Sequence, residues 1–80
     1  MTGLDQLRKM NRPSRSGYEL TVCMHYTSRT SYCWELIRYP MDPSLDIEIV
    51  ERYYGMRWEE IAHHGRKHLQ ANPNDGFYFE

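Results

Sequence analysis

Thiol and imidazole side chains are the groups in this sequence best suited to metal chemistry. Cys23 and His25 stand two apart in an alternating stretch, so both point to one face of a predicted strand. Cys33 lies in the next alternating stretch, residues 31–39. One of two strand pairings that suit these stretches places Cys33 opposite Cys23. A structural zinc site takes four such ligands, and the chain lacks the CxxC spacing of zinc ribbons. A small zinc-stabilised domain built on these three residues is therefore one alternative to a metal-free fold.

A second set of candidate ligands lies in the C-terminal half of the chain. Glu60, His64 and His68 are spaced by four residues, which places them on one face of a helix. Two imidazoles with this spacing can chelate one ion. Glu60 would lie about 12 Å along the helix from His68, so a third ligand from this set is harder to bring in.

Nucleophilic catalysis is not expected from this sequence. As same-face neighbours in a strand, Cys23 and His25 would lie about 6.6 Å apart, which is beyond hydrogen-bond reach. The chain has no phosphate-binding loop, nucleophile elbow, HExxH motif or dinucleotide fingerprint. We therefore expect a protein that is not an enzyme and that has no cofactor.

Two alternating stretches predict an antiparallel hairpin over residues 18–39. In YELTVCMHY all the even-numbered positions are apolar, and in SYCWELIRY the even-numbered positions 32, 34 and 36 are apolar, which is typical of strands with one buried face. The connecting TSRT has no glycine and predicts a loop of three to five residues. With the even positions facing the core, we consider two registers: one pairs Cys23 with Cys33, and the other pairs Met24 with Trp34.

Residues 44–72 are predicted to form one long helix or two consecutive helices. Ser44 is the expected N-cap. An apolar stripe with steps of three and four residues then runs from Ile47 to Leu69. Gly55 marks the expected break, because glycine costs about 1 kcal/mol inside a helix.

The length of the chain predicts one small domain over residues 1–80, of the α+β class. In this architecture the antiparallel hairpin packs against the helical segment. A short helix capped by Thr2 is expected over residues 2–10, and residues 73–80 are expected to form a tail or a third short strand. Residues 1–17 form a basic arm, with four basic side chains against one acidic side chain.

The composition predicts an intracellular protein. No apolar run of about 18 residues is present, and the N-terminus lacks the apolar segment of a signal peptide. We therefore expect a cytoplasmic location without membrane contact, where both cysteines remain reduced thiols.

The stretch RYYGMRWEEIA, residues 52–62, resembles the first helix, the turn and the second helix of helix-turn-helix domains such as region 4 of bacterial sigma factors. The resemblance covers this stretch only, and the residues that follow depart from the pattern. It implies a DNA-binding transcriptional regulator whose next residues would face a major groove. The side chains that would do so are Arg66, Lys67, His68 and Gln70.

Tyrosine, tryptophan and arginine are more abundant than a small core requires, and these residues dominate the energetics of protein interfaces. The candidate partner-binding residues are Tyr26, Arg29, Tyr32, Arg52, Tyr53 and Arg57. We therefore expect a non-enzymatic module, monomeric or homodimeric, that binds another protein, with nucleic acid as the alternative partner. By analogy of size, it would be an accessory or inhibitory factor like the phage-type, anti-CRISPR-like inhibitors of host nucleic-acid machinery.

Overall fold

The computed structural model describes residues 3–80, so the predicted cap at Thr2 lies outside the described residues. The elements are α1 (Gly3–Lys9), β1 (Tyr18–Tyr26), β2 (Tyr32–Pro40), β3 (Glu48–Tyr53), α2 (Trp58–Ala71) and β4 (Gly76–Phe77). The four strands form one sheet in the order β3-β2-β1-β4. The fold is α+β, with a hairpin, a short N-terminal helix and a C-terminal helix, as the sequence predicts.

The hairpin adopts one of the two predicted registers. Met24 pairs with Trp34, while Cys33 lies opposite His25 and not opposite Cys23. The register that joins the two cysteines is therefore wrong. Residues 27–31 form the connection, which agrees with the predicted loop length and is closed by backbone hydrogen bonds to the carbonyl of Ser31.

The prediction of helix over residues 44–57 is wrong, because Glu48–Tyr53 is a strand that pairs antiparallel with β2. Ser44 does not cap a helix; its backbone N–H and its hydroxyl both donate to the Asp42 carboxylate, at 3.0 and 2.8 Å. The apolar steps of three and four residues in this segment suit a helix. Its isoleucine, valine and tyrosine side chains favour the strand once an open edge of β2 is available.

The C-terminal short strand is confirmed. Gly76–Phe77 pairs parallel with β1, and a single antiparallel bridge joins Phe77 to Arg12 on its other side. The N-terminal arm therefore lies alongside β4 and covers that edge of the sheet.

Both helices contribute to a core on one face of the sheet. The even-numbered positions of the hairpin supply the strand side of this core, as the alternation predicts. Its buried apolar members are Leu7, Leu20, Val22, Leu36, Tyr53, Ile61, Ala62, Leu69 and Phe77. The helices approach closely at Gly3, where a Cβ atom would stand 2.5 Å from the backbone nitrogen of Glu59. A larger residue at this position would force the two helices apart.

A buried carboxylate joins four parts of the chain. Asp75 is 1% exposed. Its oxygens accept hydrogen bonds from the Ser16 hydroxyl at 2.6 Å and from the Arg38 guanidinium at 2.7 and 3.2 Å, and His68 Nε2 lies 3.2 Å away. Burial raises the pKa of the Asp75 carboxyl, but the hydrogen bonds from Arg38, Ser16 and His68 outweigh it and hold the pKa at about 2.

We expect Asp75→Asn to weaken the dependence of the free energy of unfolding on pH in the acid range. The pKa of Asp75 is lowered in the folded protein, so its stabilisation is complete above about pH 4 and is lost as the pH falls towards about 2. The shift corresponds to about 2 to 3 kcal/mol of unfolding free energy at neutral pH. Urea unfolding as a function of pH measures this. Asp46→Asn, at an exposed carboxylate, is the control, and an equal dependence on pH in the acid range for the two variants would contradict the assignment.

Candidate functional site

An aromatic ladder runs across the hairpin end of the molecule. Tyr26 and Tyr32 are the last cross-strand pair before the turn, and their ring centroids lie 6.4 Å apart. Tyr32 meets Trp34 edge-on at 6.4 Å, and Trp34 meets Trp58, the first residue of α2, at 4.7 Å. Phe79 continues the series 6.3 Å from Trp58. Edge-to-face packing is a favourable arrangement for aromatic rings, so the ladder fixes these side chains relative to one another.

The outer part of the ladder is exposed because burial decreases along the even face of β1. Val22 is buried, whereas Met24 is 42% exposed and Tyr26 is 64% exposed. Tyr32, on the neighbouring strand, is 42% exposed. The apolar face of the hairpin therefore extends beyond the core, and its outer residues are exposed to solvent.

The β3–α2 loop adds two further exposed side chains at the same end. It leaves β3 at Tyr53, which pairs with Trp34, and it enters α2 at Trp58, which packs on Trp34. Tyr54 is 65% exposed and Met56 is 75% exposed. Between them, Gly55 has a φ of 95°, a left-handed conformation that glycine adopts without steric cost.

We call this region the hairpin-end surface. It consists of Met24, Tyr26, Tyr32, Tyr54 and Met56, with Arg29 and Arg57 as its basic members. Arg29 is exposed in the turn. The Arg57 guanidinium pairs with the Glu60 carboxylate at 3.1 Å and also donates to the carbonyl of Tyr54. The surface thus combines large apolar side chains with arginine, which is the composition of binding hot spots.

Four of the six predicted partner-binding residues belong to this surface. Tyr26, Arg29, Tyr32 and Arg57 lie there. The Nε of Arg52 donates to the buried Glu35 carboxylate at 2.8 Å, on the face of the sheet away from the core, and Arg52 lines a small cleft with Tyr54 and Arg57 at the border of this surface. Tyr53 is 2% exposed. Its side chain is part of the core and is not available to a partner.

Tyr53 has a structural role through its hydroxyl, which lies 2.7 Å from His64 Nδ1. Burial, followed by the charges of Glu51 and Glu60, raises the pKa of the Tyr53 phenol. The phenol therefore keeps its proton and is able to donate to Nδ1.

Sequence reasoning missed Tyr54 and Met56 as candidates. The helical interpretation assigned Tyr54 to a buried stripe, whereas the strand that is formed turns Tyr53 inward and leaves Tyr54 at its end. The useful signal was Gly55, since a glycine between a strand-like run and a helix start is typical of an exposed turn.

The proposed zinc ligands are not brought together. Cys23, His25 and Cys33 occupy one face of the hairpin, but within residues 3–80 no group of three or more His, Cys, Asp or Glu side chains is arranged to hold a metal ion. Burial, together with Glu35 and Cys33, raises the pKa of the Cys23 thiol and disfavours the thiolate. In the second set, His64 and His68 are instead paired with Tyr53 and Asp75.

The helix-turn-helix arrangement is also absent from residues 52–62. Its first helix is replaced by the end of β3, and only α2 follows the turn. Of the predicted groove-facing side chains, Arg66 donates to Gln6 and His68 is directed to Asp75, while Lys67 and Gln70 are exposed. α2 therefore lacks the helix that, in a helix-turn-helix domain, is joined to the recognition helix by the turn.

Comparison with models of protein families, with curated proteins and with solved structures finds no match. Of the helices within residues 3–80, none combines the length and the apolar composition needed to cross a membrane.

Tyr53→Phe should lower the free energy of unfolding by about 1 kcal/mol, because it leaves His64 Nδ1 without its hydrogen-bond partner in a partly buried position. Urea denaturation measures the change. Tyr54→Phe, which removes a hydroxyl from an exposed ring, should leave stability unchanged. Equal stability of the two variants would show that the Tyr53 hydroxyl is not structural.

Proposed function

We propose that the protein is a non-enzymatic module that binds another protein through the hairpin-end surface. The observation that carries this proposal is the aromatic ladder, which begins at the partly buried rings of Trp58 and Trp34, packed against the core, and ends in the exposed rings of Tyr32 and Tyr26. The exposed rings are thus supported by packed ones, and their orientation is set before any partner arrives.

This arrangement favours binding for an entropic reason. Immobilising a flexible interface side chain costs about 0.5 to 1.5 kcal/mol on association. Rings that already contact one another in the free protein lose less freedom. The two exposed methionines, Met24 and Met56, are flexible and polarisable, so they can adapt to the partner around this fixed centre.

The charges of the surface define the complementary patch on the partner. Among the described residues, no carboxylate is paired with Arg29, whereas Arg57 is partly neutralised by Glu60. A partner patch with an apolar centre would complement the exposed apolar side chains, and a carboxylate opposite Arg29 would complement its positive charge.

We propose an accessory or inhibitory role, which this mode of action would suit. A small module with one such surface acts by occupying a surface of its target, as anti-CRISPR-like inhibitors of host nucleic-acid machinery do. We place its action in the cytoplasm, where Cys23 and Cys33 would remain reduced.

The Tyr26→Ala/Tyr32→Ala double variant should lose the partner. Truncation of a hot-spot residue costs about 2 kcal/mol or more, which corresponds to a dissociation constant raised about 30-fold or more. Tagged wild-type and variant proteins are used to capture partners from a cell lysate treated with nuclease, and mass spectrometry identifies the retained proteins. The affinity of a retained protein is then measured by calorimetry.

Tyr78→Ala is the matched control, because Tyr78 is 50% exposed and lies outside the hairpin-end surface. It should retain the partner with unchanged affinity. If the double variant captured the same proteins as the wild type, or if nuclease removed every captured protein, the proposal would be wrong.

A further inference from the structure

A second surface lies at the other end of α2, between this helix and the N-terminal arm. Two adjoining clefts occur there, and both are lined by Arg12 and Pro73. The larger has a volume of about 440 Å³ and also contains Met10, Arg66, Leu69 and Gln70. The smaller, of about 250 Å³, is completed by Pro13 and Arg15. We call the two clefts together the arm groove.

The arm groove is basic although the whole chain has a net charge of −1. Three arginines line it, and none of its lining residues is acidic. The fold therefore brings the basic arm, which the sequence shows at residues 1–17, beside a basic side chain of α2. Several positive charges in a concave surface raise the positive electrostatic potential inside it, and this potential attracts an anionic ligand.

Arg12 is held rigidly and still has donors to offer. Its Nε donates to the carbonyl of Asp75 at 2.8 Å, and its Nη2 donates to the carbonyls of Asn72 and Pro73 at 3.3 and 3.0 Å. Within residues 3–80 no acceptor is found for Nη1, which carries two N–H groups. A guanidinium oriented by the chain, with one nitrogen unused, is a preorganised donor to a phosphate or carboxylate.

The other two arginines are positioned by a fixed backbone. The arm is tied to the C-terminal segment, where Arg12 and Phe77 exchange backbone hydrogen bonds and the N–H groups of Arg15 and Ser16 both donate to the carbonyl of Asn74. The Arg15 side chain is exposed, and in the described part of the chain no carboxylate is paired with it. Arg66 donates through Nη1 to Gln6, an uncharged partner that leaves its positive charge intact.

We propose that the arm groove binds the phosphodiester backbone of a single-stranded nucleic acid. Three arginines along two connected clefts suit a ligand with repeated negative charges. The concave shape admits a single strand more readily than a duplex, and the apolar lining from Met10, Leu69 and Pro73 offers contacts to sugars and bases. The site is separate from the hairpin-end surface, so a nucleic-acid strand and a protein partner would be bound at opposite ends of α2.

The test is fluorescence anisotropy of the full-length protein with a labelled oligothymidylate at several salt concentrations. For single strands, the logarithm of the binding constant falls with the logarithm of salt by about 0.7 per phosphate neutralised, so three arginines predict a slope of about −2. Arg15→Gln should reduce the magnitude of this slope by about 0.7 and weaken binding about eightfold at about 0.05 M salt. Arg66→Gln should have the same effect on the salt slope and on the affinity.

Arg8→Gln is the control that removes the same charge elsewhere, because Arg8 pairs with Asp5 on α1 and does not line the groove. It should bind the oligonucleotide as the wild type does. Equal losses for Arg8→Gln and Arg15→Gln, or no saturable binding at low salt, would overturn the proposal. So would binding of anionic phospholipid vesicles that is stronger than that of the oligonucleotide and equally sensitive to Arg15→Gln.

Discussion

The ion pair between Arg38 and Asp75 is the interaction on which most of the fold depends. The carboxylate belongs to the segment that follows α2, the guanidinium belongs to the central strand β2, and the hydroxyl of Ser16 ties the N-terminal arm to the same oxygen atoms. The Arg38 guanidinium also lies 3.9 Å from the Tyr18 ring. A domain of this size buries little apolar surface, so a hydrogen-bonded charge that joins distant segments has a large share in defining one structure.

This constraint also explains how the molecule presents two unlike surfaces. The polar network fixes the arm and the C-terminal segment at one end of α2. The Arg12 guanidinium lies at the C-terminal end of this helix, where it donates to the carbonyls of Asn72 and Pro73, and a cation in this position suits the helix dipole. At the other end, α2 begins at a tryptophan that closes the core against the hairpin. The helix therefore separates a polar, basic end from an apolar, aromatic one.

The hairpin, the N-terminal helix and the second half of the helical segment could be predicted from the sequence, because their alternation or spacing favours one type of element. The sequence leaves the hairpin register open between two pairings, and residues 73–80 between a tail and a short strand. β3 could not. The spacing of Ile47, Val50 and Tyr54 fits a helix, and only the unpaired edge of β2, a tertiary feature, selects the strand. That single error carries over to the candidate site: it keeps Tyr53 among the candidate binding residues, places Tyr54 in the buried stripe and leaves Met56 out of consideration. The Arg38–Asp75 pair, whose members are 37 residues apart, has no local signature at all.

The irregularity of β3 bears on how this sheet meets other chains. β3 is the exposed edge, and its register with β2 shifts between Leu36 and Ile37. The extra residue breaks the regular two-residue repeat of backbone donors and acceptors along the outer side, and Glu48, Glu51 and Arg52 add charges there. At the opposite edge, β4 has two residues and lies beside the arm. Neither border offers a long, regular template, so the sheet resists the strand-by-strand stacking that leads to fibrils, even though the chain leaves several large apolar side chains exposed.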